Sequence, residues 1–313
     1  MARFSEKVVI VTGSSSGIGA ATAVLFASEG AKVTITGQKA ERLEETRRKM
    51  LNAGVKDLHI NIVLANVMVE EEREKLVNST ETRRKMLNAG VKDLHINIVL
   101  ANVMVEEERE KLVNSTVVKW GRIDILVNCA GGSLVGENGT MGFNPKCDPL
   151  ERLMQLNVYS VAHIVELARP HLVAAKGEVI NISSIAGCPM GFPNFPYYAT
   201  TKAALDQLTR ALALDMIKHG VRVNSVSPGP VHTRFFQSSG FSDETVKKAY
   251  ELYEVNRNAL PVGKLAEPED IANIIAFLAD RRLSSYIVGQ TIVADGGTTL
   301  LLASTASEVD VWK

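Results

Sequence analysis

Cysteine is scarce in this chain of 313 residues, which holds Cys129, Cys147 and Cys188 and no others. Three scattered cysteines exclude a disulfide framework and a cysteine-based zinc site. They read as buried thiols in a reducing, cytoplasmic setting. The 6 histidines show no metal-ligand spacing, so no metal site is expected. Excess charge is lacking too: 35 basic residues balance 35 acidic ones. That balance argues against nucleic acid or an anionic membrane as the main partner. No apolar run approaches the ~20 residues of a membrane span. The opening MARFSEKVVIVTG runs into a strand without the apolar stretch of a signal peptide, and the closing SEVDVWK carries no retention or peroxisomal signal. What is present, 46% hydrophobic residues over this length, suits one large core, and a single domain is expected over 1–313.

Residues 45–80, ETRRKMLNAGVKDLHINIVLANVMVEEEREKLVNST, recur without a difference as residues 81–116. Solenoid repeats need at least ~3 copies and drift in sequence, so two identical copies are no solenoid. They point to a recent in-frame duplication or an error in the gene model. Outside the repeat, short apolar β-branched runs alternate with helical segments. Strands are expected at 7–12, 32–36, 123–127, 178–182, 221–226 and 290–293, with a further one at 58–65 or 94–101. Helices are expected at 17–28, from Ala40, and over 148–174, 197–219 and 268–280. This alternation predicts βαβ units and a doubly wound, Rossmann-type parallel sheet. The duplicated helix–strand–helix segment is expected at the sheet edge. The spare copy there becomes either an added edge strand or a peripheral insert.

The chemistry concentrates in two places. A glycine turn, Thr12-Gly13-Ser14-Ser15-Ser16-Gly17-Ile18-Gly19, follows a strand and opens a helix. Gly13 suits the tight turn, Gly17 lets phosphates approach backbone N–H groups, and Gly19 lets helix and strand pack closely. Downstream, Tyr198 and Lys202 sit one helical turn apart in YATTK, and Ser184 precedes them after the strand EVINI. A tyrosine titrates near ~10 in water. A lysine on the same helix face favours the phenolate and draws that pKa toward the working range. A dinucleotide turn with a tuned tyrosine predicts hydride transfer to or from a carbonyl.

With these residues in view, the chain resembles the short-chain dehydrogenase/reductase family over nearly its whole length outside the extra copy. TGSSSGIG matches the family's cofactor turn, NISS (181–184) its serine strand, and YATTK its Tyr-Lys pair. Asn157 falls where the family places the asparagine of its tetrad. SPGPVHT (227–233) and VADGG (293–297) match the segments after the later strands. The resemblance implies that Tyr198 moves the proton, Lys202 lowers its pKa and bonds the nicotinamide ribose, Ser184 polarises the substrate oxygen, and Asn157 fixes a proton-relay water. It further implies cofactor contacts by Gly13, Ser15, Ser16, Gly17, Ile18, Gly19, Asn128, Ala130, Gly131, Tyr198, Lys202, Pro228, Gly229, Val231 and Thr233. Two positions depart from the pattern. Cys129 replaces an asparagine, and the usual Asp-Val at the adenine is Asn66-Val67 in copy one and Asn102-Val103 in copy two.

Cofactor choice turns on the end of the second strand, where Thr36-Gly37-Gln38-Lys39 carries no acid to bond a ribose 2′-hydroxyl. Gln38 and Lys39 point to NADP(H), with NAD(H) the alternative if Lys39 is only solvated. A substrate lid is expected at about 234–262, rich in Phe235, Phe236, Phe241, Tyr250 and Tyr253. Its rings either meet a lipophilic carbonyl or anchor the lid to the body. Leu134, Val135, Met141 and Phe143 would supply the opposite wall. The resemblance implies a homotetramer or homodimer built through the helices 148–174 and 197–219. Two functions stay open: an active NAD(P)(H)-dependent oxidoreductase, and a cofactor-binding protein impaired because the repeat disrupts the adenine side.

Overall fold

The run Val8–Val11 is apolar at every position and buried at every position, as a strand covered on both faces must be. This is β1. In a computed structural model of the chain, which describes residues 2–37, 40–56, 60–64, 98–100, 102–134, 142–143 and 149–301, it lies at the middle of one parallel sheet. The elements that follow are α1 (Gly17–Ser28), β2 (Lys32–Gly37), α2 (Ala40–Asn52), β3 (Ile60–Leu64), β4 (Ile98–Leu100), α3 (Glu106–Trp120) and β5 (Ile125–Asn128). Then come α4 (Pro149–Met154), a π turn (Gln155–Tyr159), α5 (Ser160–Ala175), β6 (Glu178–Ile182) and α6 (Pro196–Met216). The described chain closes with β7 (Arg222–Pro228), α7 (Phe235–Ser238), α8 (Asp243–Val255), α9 (Pro268–Ala279) and β8 (Thr291–Ala294).

Among the described residues the strand order is β4-β3-β2-β1-β5-β6-β7-β8, all parallel where paired. The chain runs outward from β1 to one edge, then returns to the centre and builds the other half, which is the expected doubly wound topology. Alternation along each strand feeds two cores. Val9, Val11, Ile125, Val127, Ile180 and Ile182 join the layer holding Phe26, Leu43 and Ile275. Ile10, Leu126, Val179 and Val223 face the other layer, with Leu112, Ile164 and Leu205.

The repeat is divided between two positions. Copy one supplies β3, which pairs with β2 from Val33↔Ile60 to Gly37↔Leu64. Copy two supplies β4 at the edge, paired Ile62↔Ile98, Val63↔Val99 and Leu64↔Leu100, so each residue lies beside its own duplicate. The strand slot beside β2 is therefore filled by copy one, and the second copy's strand extends the sheet. Copy two also supplies most of α3, which is held to the body by the buried Arg109. Its Nε donates to His163 Nδ1 on α5 (2.7 Å) and its Nη1 donates to the Val103 carbonyl (2.8 Å). The expected long helix at 148–174 is interrupted by the π turn, an insertion that periodicity does not register.

Candidate active site

The parallel sheet brings the C-terminal ends of β1, β5, β6 and β7 to one rim, and two adjoining cavities open there. The first, of about 300 Å³, is lined by Ser184, Tyr198 and Lys202 together with Gly13, Ser16, Gly17, Ile18, Gly19, Gly131, Pro228, Gly229, Val231 and Thr233. The second, of about 490 Å³, is lined by Gly13, Ser15, Ser16, Thr36, Gly37, Arg42, Asn102, Val103, Ala130 and Gly131. Ser184, Tyr198 and Lys202, predicted from separate stretches of sequence, are thus brought together.

Their alignment has identifiable causes. Pro196 starts α6, a position where its missing N–H costs nothing. Tyr198 and Lys202 then fall on the buried face, with the Lys202 ammonium 5.6 Å from the tyrosine ring centre. Ser184 follows the end of β6 and caps a short turn, its Oγ accepting from the Ala186 N–H at 3.2 Å. That turn can press on α6 because residue 187 is glycine: a Cβ there would stand 2.7 Å from the Lys202 carbonyl carbon. The close approach lets the Ser184 hydroxyl hydrogen-bond Tyr198.

Burial dominates the electrostatics. It pushes the Tyr198 phenol up to about 12, a rise opposed by the Ser184 hydrogen bond. It pushes the Lys202 ammonium down to about 8, opposed by Cys129 and Asp206. The sequence expectation of a tyrosine drawn downward by its lysine does not hold in this arrangement, because Lys202 Nζ donates to the Ile182 carbonyl at 2.8 Å and desolvation outweighs its charge. Cys129 is a neutral thiol, pushed up to about 12 by burial. Its backbone is steadied without the asparagine it replaces: the N–H groups of Cys129 and Ala130 both donate to Thr12 Oγ1, at 3.0 and 2.9 Å.

Two predicted residues lie beneath the cavities rather than on their walls. Asn157, in the π turn, accepts from the Gly132 N–H and donates to the Gly132 carbonyl and Thr201 Oγ1, each at 3.0 Å. Asn128 donates to Asn181 Oδ1 at 2.9 Å, and Asn181 in turn donates to Thr209 Oγ1. Asn128 is therefore a tie between β5, β6 and α6. Gln38, Lys39, Asn66, Val67, Val135 and Met141 lie outside the described residues.

The residues fit a dinucleotide. α1 starts at Gly17 with no acidic residue in its first turn and no side-chain cap from Ser16, so its N–H groups remain for an anion. Gly13 has φ +66°, and a Cβ on it would stand 2.8 Å from Ala130. Thr36 Oγ1 and Gln237 Oε1 are buried without a partner among the described residues, and both residues line the second cavity. A ribose or adenine would satisfy them. Sequence reasoning missed Gln237 and Arg42, the latter because it lies on α2, beyond the strand end where specificity was sought. It also missed Phe192 and Phe195, which lie in the loop before α6 and line the first cavity.

Comparison with known proteins accords with this geometry. Residues 7–95 match the family described as short chain dehydrogenase, and residues 81–299 match that described as enoyl-(acyl carrier protein) reductase. The chain belongs to the short-chain dehydrogenase/reductase family. The second match begins where the second copy begins, and the two matches overlap over residues 81–95 of that copy. Meso-2,3-butanediol dehydrogenase of Serratia marcescens is 30% identical over 95% of this chain and 96% of its own length. A short-chain dehydrogenase/reductase of unknown function from Caenorhabditis elegans, solved with cofactor, is 43% identical with a TM-score of 0.84, covering 98% of this chain and 100% of its own. Glucose dehydrogenase of Caenorhabditis elegans in the apo form is 41% identical with a TM-score of 0.70, covering 96% and 100%. The protein is thus an oxidoreductase of this family with a Rossmann-type sheet, and no described helix is long and apolar enough to cross a membrane.

Proposed function

We propose that this short-chain dehydrogenase/reductase interconverts a carbonyl and a secondary alcohol using NADP(H) in preference to NAD(H), with Tyr198 as general acid and base. The observation that carries this reading is the juxtaposition of half-buried Ser184 with buried Tyr198 and Lys202 on the wall of a cavity that reaches the glycine turn. In reduction, Tyr198 gives its phenolic proton to the substrate oxygen while Ser184 holds that oxygen by a hydrogen bond. Lys202 favours the phenolate left behind. When bound, the nicotinamide supplies or accepts the hydride. Asn157 is the fourth catalytic residue of this reading: its amide donors are spent on Gly132 and Thr201, and one lone pair of Oδ1 is left for a relay water.

Gly13, Ser15, Ser16, Gly17, Ile18 and Gly19 would hold the pyrophosphate, Ala130 and Gly131 the adjoining ribose, and Pro228, Gly229, Val231 and Thr233 the nicotinamide amide. Asn102 and Val103, from copy two, would meet the adenine. Their place beside Gly37 supports a working adenine side rather than an impaired one. NADP(H) is favoured because Arg42 lines that cavity and no acidic side chain does among the described residues. The substrate is read as a small molecule with an apolar body. A homodimer or homotetramer is supported by the exposure of Tyr159 and Leu214 on the helices named for assembly. Unpaired thiols at Cys129 and Cys188 suit the cytoplasm.

The test is a titration with NADPH and NADH followed by reduced-nicotinamide fluorescence, paired with Tyr198→Phe. Saturable binding tighter for NADPH is expected, together with a loss of turnover of ~100-fold or more in the variant. Unchanged turnover in Tyr198→Phe would sink the mechanism.

A further inference from the structure

Aromatic rings run in an unbroken path from the catalytic tyrosine. Ring centres are 5.4 Å apart for Tyr198 and Phe235, 5.5 Å for Phe235 and Phe236, 6.5 Å for Phe236 and Phe195, and 5.8 Å for Phe195 and Phe192. Such spacings lie within the ~4.5–7 Å over which rings attract one another, so each ring braces the next. All of these residues line the reaction cavity. The wall is built from two elements, the loop before α6 and the helix α7. Of the other lid aromatics, Tyr253 also lines the cavity. Phe241 and Tyr250 do not line that cavity; they pack with Val246, Leu260 and Leu265, and the Tyr250 hydroxyl donates to the Thr233 carbonyl at 2.8 Å. The lid aromatics thus divide between rings that face the cavity and rings that anchor the lid to the body.

The polar side chains of the same cavity divide by place: Ser16, Arg234 and Ser238 also line the second cavity, Thr233 sits with the segment read as holding the nicotinamide amide, and Tyr253 and Thr298 stand beside the reacting groups. Ser184 and Tyr198 are committed to the reacting oxygen. Lys202 Nζ already donates to the Ile182 carbonyl, and Ser183 Oγ donates to the Lys202 carbonyl at 3.3 Å. Among the described residues no carboxylate and no side-chain amide lines it. A substrate rich in hydroxyls would bury several of them without partners, each losing roughly ten-fold in affinity. A flat apolar body would instead replace water along the rings.

Resting on the carbonyl–alcohol reading above, we propose that the substrate is a flat, ring-bearing secondary alcohol or its ketone. The reacting oxygen lies between Ser184 and Tyr198, and the ring body lies along Phe235, Phe236 and Phe195. Oxidation breaks the O–H and the carbinol C–H bonds. The proton passes to the Tyr198 oxygen, the hydride with its electron pair passes to NADP⁺, and the ketone is left.

The experiment compares kcat/KM for oxidation of 1-tetralol, butane-2,3-diol and D-glucose by the full chain with NADP⁺. A preference for 1-tetralol of roughly 100-fold over each is expected, from burial of its ring body. In Phe235→Ala that preference ratio falls by roughly ten-fold, a change that a general loss of folding would not produce. Equal or reversed preference overturns the substrate class while leaving the Tyr198 chemistry standing. If no alcohol is oxidised, the Tyr198 reading fails. Binding then decides the slot: 1-tetralone saturating the NADPH complex, where D-glucose does not, supports it, and the reverse overturns it.

Discussion

Two stretches of this chain are identical in sequence and different in structure. In copy one, Ile60–Leu64 is an interior strand bonded on both sides. In copy two, Ile98–Leu100, the duplicates of Ile62–Leu64, form the edge strand, and the helix that follows docks on the body. The described parts are complementary: copy one gives the end of α2 and the strand, copy two the turn that lines the second cavity and most of α3. Residue identity therefore does not decide which copy does which task. Chain connectivity decides it: the copy that follows α2 reaches β2 first, and the copy that precedes β5 must end where α3 can lead back to the centre.

The strongest way to break this comparison is to make one change in both copies. Arg109→Ala removes buried hydrogen bonds to His163 and Val103, and is expected to cost ~2–3 kcal/mol in denaturant unfolding. Arg73→Ala, the same change in copy one, is expected to cost less than half as much. Equal losses would mean that both copies grip the body alike. Next in size is the adenine side. Asn102→Ala should weaken NADPH binding ~5–10-fold, since Asn102 lines the second cavity and is held by a 2.9 Å bond from the Met104 N–H. Asn66→Ala should leave the affinity within a factor of ~2. The same titration checks both, and a larger loss in Asn66→Ala would reverse the assignment.

These asymmetries explain why some features were legible in the sequence and others were not. The sheet could be read because Val8–Val11 and Glu178–Ile182 are buried at every position, and the glycine turn and Tyr-x3-Lys pair carry their spacing with them. The split of the repeat could not be read, because identical residues contain no preference for one slot. The π turn escaped because inserting one residue into a helical turn leaves the apolar pattern nearly intact. Tyr198's elevated pKa escaped because a lysine at i+4 announces charge, whereas desolvation depends on partners distant in sequence, such as the Ile182 carbonyl that engages Lys202. Arg42 and the Phe192–Phe195 wall are nearby in sequence to features already marked, and only the fold shows which way they face.

The smallest expected effect separates the repeat from the chemistry. Burial raises Tyr198 and lowers Lys202 to about 8, so Lys202 is the first of the two to lose its proton. In oxidation the alcohol's proton passes through Tyr198 to a Lys202 that has lost its own, so kcat/KM should rise with pH through about 8, and reduction, which draws on that proton, should fall through the same region. Of the groups that act on Lys202, Cys129 is neutral there, which leaves Asp206 as the charged one. Asp206 is buried one turn along α6, accepting from Ser225 Oγ at 3.2 Å and Thr291 Oγ1 at 3.4 Å. Its carboxylate favours the charged lysine, so Asp206→Asn lowers the lysine pKa further and moves the oxidation limb to lower pH, by ~0.5 unit. Excising residues 81–116 should leave that limb in place, because nothing described in the repeat contacts Lys202 or Asp206. A limb that moves on excision would show that the sheet edge reaches the catalytic floor, and the two regions would then have to be treated as one.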